Sequence, residues 1–167
     1  MAKPNQTPNF ESILDMPAAD VERPKPLPAG TYDAVVQGLY EEGASAQKKT
    51  QFVQFAFAIQ AACEDVDEDD LAEYLTSKDG AVKSLQSVTL KNNSTKFYTM
   101  NADGSRSEAL FRLTDFFTHC GIEQEGKSIR QCLSETPNCS VKILIGHTAS
   151  QDGEAIFAEL KKTMPSE

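Results

Sequence analysis

Residues 51–60 read Gln-Phe-Val-Gln-Phe-Ala-Phe-Ala-Ile-Gln. On an extended chain Val53, Phe55, Phe57 and Ile59 fall on one side, and Phe52, Gln54, Ala56 and Ala58 on the other. A helix would scatter this period-two pattern around its axis. One face is therefore expected to be core. The other is semi-polar, with one aromatic ring near its start. A chain built around such a strand must form a sheet.

Other segments agree. Ala29-Gly30-Thr31-Tyr32 opens a strand expected over Thr31–Leu39, followed by a polar loop, Glu41–Thr50. Val82–Leu90 and Thr95–Met100 read as strands joined by a turn at Asn92-Asn93-Ser94. Val141–Thr148 and Ala155–Leu160 form a final hairpin. A short helix is expected near Asp69–Leu75, with Leu71, Tyr74 and Leu75 inward and acids at its N-terminus. The best helix is Ser107–His119: Leu110, Leu113, Phe116 and Phe117 recur at helical spacing, Ser105 or Ser107 can cap it, and Gly121 stops it. Ser128–Ser134 is a second, shorter helix, with Ile129 and Leu133 inward. The reading is mainly β: an OB-like, partly open antiparallel barrel with an inserted helix before the last hairpin. A β-sandwich and an α+β sheet are the alternatives. A doubly wound fold does not fit, because single helices do not alternate with strands.

Six of the eight prolines lie in residues 1–28. This part reads as an N-terminal arm, with a short helix at Phe10–Met16 and an extended proline-rich linker, Arg23–Pro28. Residues 29–163 form the body and 164–167 a short tail. The net charge of −9 is mostly local. Residues 64–75 hold seven acids and no base, leaving sixteen bases against eighteen acids elsewhere. A uniformly basic, histone-like binder is excluded, but a local basic groove is not. No apolar run is long enough for a membrane span, and Met1–Gln6 has no apolar core of a secretory signal. Cys63, Cys120, Cys132 and Cys139 include no C-x-x-C pair and are expected as free thiols in a reducing cytosol.

Enzymatic chemistry finds little support. Only His119 and His147 could serve as histidine bases, and no G-x-S-x-G elbow or phosphate-cradling glycine motif exists. His119 reads as a partner of its helix C-terminus and His147 as a surface residue. The spacing of His119, Cys120, Cys132, Cys139 and His147 matches no zinc pattern. The acidic run lacks the glycine of a calcium loop. No catalytic residue, metal site or cofactor is expected.

The remaining chemistry is cations interleaved with aromatic rings. Lys48-Lys49 precede Phe52; Lys91 and Lys96 flank the next turn, with Phe97-Tyr98 following; Arg106 and Arg112 stand at the start of the long helix. Rings stack bases while cations track phosphates, which is what single-strand binding needs. Lys48, Lys49, Phe52, Lys91, Lys96, Tyr98, Arg106 and Arg112 are the candidate contacts. Of Phe97 and Tyr98, one must face inward.

Several stretches resemble small proteins of tailed bacteriophages. These are Phe10-Glu-Ser-Ile-Leu-Asp15, Glu22-Arg-Pro-Lys-Pro-Leu-Pro-Ala-Gly-Thr-Tyr32, Lys48-Lys-Thr-Gln-Phe-Val-Gln-Phe55, Glu64-Asp-Val-Asp-Glu68, the Phe111–Gly121 helix and Ser150-Gln-Asp-Gly153. The proteins they resemble are phage single-stranded-DNA-binding proteins of the OB-fold type. The resemblance implies that fold and a binding role in DNA replication or recombination, in the cytoplasm of the infected bacterial host. It carries over Lys48, Lys49 and Phe52 as contacts. Implied partners are single-stranded DNA and phage or host replication and recombination proteins; separately, an exposed edge strand in the final hairpin offers a place for a further copy of the chain to pair. The residues also leave open a capsid decoration or cement protein, whose proline-rich arm would reach a neighbour. A third reading is an acidic inhibitor or adaptor of a host protein, acting through residues 64–75.

Overall fold

The computed structural model describes residues 14–15, 17–20 and 25–166. The helix expected at Phe10–Met16 falls almost wholly outside the described residues. The body is mainly β. In chain order its elements are β1 (Gly30–Val36), β2 (Glu41–Ala44), β3 (Gln51–Gln54), β4 (Phe57–Ala62), α1 (Glu68–Leu75), β5 (Thr89–Leu90), β6 (Lys96–Met100), α2 (Leu110–His119), α3 (Ile129–Ser134), β7 (Ser140–Ala149) and β8 (Ile156–Pro165). A five-stranded antiparallel half-barrel has the order β5-β4-β1-β7-β8, and a three-stranded sheet the order β2-β3-β6.

The two sheets share their chain segments. β1 leads into β2 through residues 37–40, β3 into β4 through a bend, and β5 into β6 through a 3-10 turn at Asn93–Thr95, so three chain segments each serve both sheets in the same neighbour order. The bend falls at Phe55-Ala56, inside the segment expected as one strand. Its backbone bonds are kept: Phe55 N–H donates to Thr95 O (3.3 Å) and Ala56 O accepts from Gln37 N–H (2.8 Å). The alternation survives the bend, with Val53, Phe55, Phe57 and Ile59 all at most 4% exposed. β6 and β8 do not pair. Two side chains bridge the gap: Asn92 Nδ2 donates to Ala158 O (2.8 Å) and Leu160 N–H to Ser94 Oγ (2.9 Å).

α2 packs one face into the core, against β6 and β8. Leu113, Phe116 and Phe117 are at most 1% exposed, and the Phe116 ring meets those of Phe55, Phe97 and Phe57 at 4.8, 5.4 and 5.8 Å. Gly121, with φ +77°, turns the chain out, and Ile122 N–H closes onto Phe117 O at 3.0 Å. Ser107 does not cap the helix itself; its Oγ accepts from Ala109 N–H one residue before α2. α3 carries a capping box between Ser128 and Gln131.

Several expected elements are corrected. Glu41–Ala44, read as loop, is a strand: a polar sequence suffices at an edge that pairs on one side. Val82–Leu90 is strand only at Thr89–Leu90. Val82 is 72% exposed in an isolated bridge to Thr76, and residues 85–87 form a 3-10 turn capped by Ser84. In α3 Cys132, not Ile129, points inward with Leu133; Ile129 is 38% exposed. β8 runs through Pro165, so Met164 and Pro165 belong to the last strand rather than to a tail.

The end of the arm seats on the body. Leu27 is buried, Tyr32 Oη donates to Pro28 O (2.7 Å), and His147 Nε2 meets Leu27 O at 2.9 Å. Lys25 pairs with Glu73 of α1. No helix among the described residues is long and apolar enough to cross a membrane.

Candidate nucleic-acid interface

The alternation of β3 and β6 divides the three-stranded sheet. Val53 and Phe97 point into the core, at 4% and 6% exposure. Register pairs Val53 with Phe97, and Gly43 with Phe52 with Tyr98, as successive rows. Tyr98 is thus the outward member of the Phe97-Tyr98 pair. Phe52 and Tyr98 stand edge to face, with centroids 6.0 Å apart and planes at 74°. Lys96 Nζ lies 4.5 Å from the Phe52 ring centre, a cation–π contact. In the other direction Met100 bridges Arg106, which places Arg106 at the same end of the outer face as Met100.

Lys48 and Lys49 occupy the loop between β2 and β3, beside this row. The loop is tight: Lys49 N–H donates to Ser45 O, Ser45 N–H to Thr50 O, and Lys49 itself has φ +54°. Both lysines are exposed and form no ion pair among the described residues. Lys91 is engaged, its Nζ 2.7 Å from Glu41 Oε1. Glu41, Gln54 and Lys96 share the next row of the sheet, so Lys91 joins this face through Glu41. Arg112 stands apart, on α2 beside β8 and away from Phe52. The structure therefore gathers Lys48, Lys49, Phe52, Lys91, Lys96, Tyr98 and Arg106 around one outer face and leaves Arg112 on another.

Sequence reasoning missed Gly43. A Cβ built there would lie 2.7 Å from Phe52 Cζ, so the ring occupies the space a side chain would take. Its only signal was a glycine in a polar run, and that run read as loop.

Other chemistry-bearing groups have structural tasks. Asp65 accepts from Thr31 N–H (2.9 Å) and Thr31 Oγ1 (2.8 Å), and these bonds hold its carboxyl below the usual carboxylate range. Asp67 caps α1 by accepting from Asp70 N–H at 2.9 Å. With Glu73 bound to Lys25, three of the seven acids in 64–75 hold the fold rather than stand free for a partner. His119 Nδ1 meets Thr163 Oγ1 at 2.7 Å. The four cysteines are free thiols, and burial pushes the Cys120 thiol up. Among the described residues no cluster of three or more His, Cys, Asp or Glu could hold a metal ion.

No protein-family model matches the chain, and no curated protein matches it either.

Proposed function

We propose that this chain binds single-stranded DNA on the outer face of β3 and β6. The observation that carries the reading is the pair of half-buried Phe52 and exposed Tyr98, beside Lys96 and flanked by Lys48 and Lys49, which form no ion pair among the described residues. Rings on a sheet surface accept unstacked bases at about 1–3 kcal/mol each, and the cations around them follow the phosphates without reading sequence.

The fold supports the same reading. Counting each segment shared by the two sheets once, the order is β5/β6, β3/β4, β1/β2, β7, β8, with α2 between the third and fourth in chain order. We read that arrangement as an OB-type barrel, a fold that binds oligonucleotides on its second and third strands and on the loop between its first and second. Phe52 stands on the second strand, Tyr98 on the third, and Lys48-Lys49 in that loop. The resemblance to tailed-phage proteins adds the setting: a phage-encoded protein that coats and protects exposed strands during replication or recombination in the bacterial cytoplasm. The role is binding, not catalysis.

The test is fluorescence anisotropy with a labelled thymine oligomer of about thirty nucleotides, beside a duplex of equal length, at low and high salt. Binding to the single strand alone, weakened by salt, is expected. Phe52→Ala with Tyr98→Ala should lower the affinity at least about tenfold. Absence of binding at low salt, or full affinity in the double variant, would overturn the proposal.

A further inference from the structure

On the far side of β6 from its pairing with β3, a groove of about 180 Å³ runs between α2 and β8. Phe97 lies in its floor, one residue from Tyr98; Arg112 and Lys162 stand on its walls with Asp115, and Phe111 lines it as well. Three properties set this groove apart from ordinary surface. Phe111 is 62% exposed, a large apolar ring facing water on the helix that otherwise fills the core. Arg112 and Lys162 form no ion pair among the described residues, although Lys161 beside them is engaged by Glu159 at 2.9 Å. His119 is already held by Thr163, so the free polar chemistry of the groove is cationic apart from Asp115.

The volume falls below the roughly 300 Å³ at which small-molecule pockets begin. A groove this small with cations on its walls suits a phosphate. An exposed ring beside it suits an unstacked base, which a duplex does not offer.

We infer that a bound single strand continues from Tyr98 across the β6 edge into this groove, with phosphate between Arg112 and Lys162 and a base on Phe111. The inference rests on the single-strand reading and extends it: the site has two segments, and the second is reached only by a longer strand.

Two measurements test it. The first compares thymine oligomers of about six and about thirty nucleotides, within and beyond the span of one OB-type site. Arg112→Ala with Lys162→Ala should leave the short oligomer's affinity unchanged. It should weaken the long one about tenfold and reduce its salt slope by about 1.4, two contacts at about 0.7 each. The second uses Phe111→Trp, which creates a single tryptophan in a chain that has none. Its emission should be quenched when the long oligomer saturates the protein. Unchanged emission, together with wild-type affinity and slope in the double variant, overturns the second segment while Phe52→Ala/Tyr98→Ala still loses binding. If the unaltered chain binds neither oligomer, the underlying reading falls and this inference with it.

Discussion

Gly43 faces Phe52 across β2 and β3, and the ring end lies where a Cβ would sit, 2.7 Å from Cζ and 2.9 Å from Cε2. The glycine is there for space. Its removal would leave the strand backbone intact, because β2 runs in ordinary extended geometry, but the ring would have to swing away. Gly43→Ala is therefore expected to weaken single-strand binding by about threefold to tenfold, part of the stacking contribution of one ring. The thermal midpoint should barely move, since Phe52 is only half-buried. In a Phe52→Ala background the same substitution should add nothing, as a double-mutant cycle would read. Equal weakening in both backgrounds would mean that Gly43 acts on something other than the ring.

Elements were legible where one physical signal dominated. The helical spacing of Leu110, Leu113, Phe116 and Phe117, with Gly121 behind them, located α2 because a buried amphipathic face leaves no freedom in phase. Phe52 was placed on the outer face by alternation alone. Alternation could not choose between Phe97 and Tyr98, since both are aromatic; the pairing of Val53 with Phe97 decides it. The bend at Phe55-Ala56 carries no glycine or proline and preserves alternation, so nothing local marks it. It exists because Thr95 and Gln37, distant in sequence, take up the backbone bonds. The apolar residues of Val82–Leu90 suggested a strand, but Val88 and Leu90 alone are buried; Leu85 packs half-buried against the core from a 3-10 turn, and Val82 faces water. Barrel closure was equally invisible, because it rests on single polar side chains. Asn92 bonds Ala158 O on β8 and accepts from Ser94 N–H at 2.9 Å. Asn92→Ala should cost about 1–3 kcal/mol, lowering the thermal midpoint by roughly 2–12 °C at this chain length. Amide exchange at Leu160 should accelerate more than exchange in β1. Unaltered exchange along β8 would show that the gap is closed by α2 packing instead.

For the whole molecule the puzzle is an acidic chain, net charge −9, proposed to hold an acidic polymer. The acids of the binding sheet, Glu41 and Glu42 on β2, are paired with Lys91 and Arg130, and the fold sets the acidic segment 64–75 apart. Asp65 binds Thr31 at the start of β1, whereas the binding sheet begins only after Val36, roughly 16 Å further along the strand at its usual rise. That distance exceeds the Debye length of about 8 Å at physiological salt and falls inside the ~30 Å of 0.01 M salt. Four cations on the outer face, Lys48, Lys49, Lys96 and Arg106, should give a short thymine oligomer a log–log salt slope near −3, at about 0.7 per contact. The acidic segment should flatten that line only at low ionic strength, where its field reaches the bound strand. Glu68→Gln, Asp69→Asn and Asp70→Asn together should then raise affinity several-fold at ~0.01 M salt and leave it unchanged near ~0.2 M. An equal gain at both salt concentrations would place the acids of α1 against the nucleic acid itself, and the path across β3 and β6 would have to be redrawn toward the start of β1.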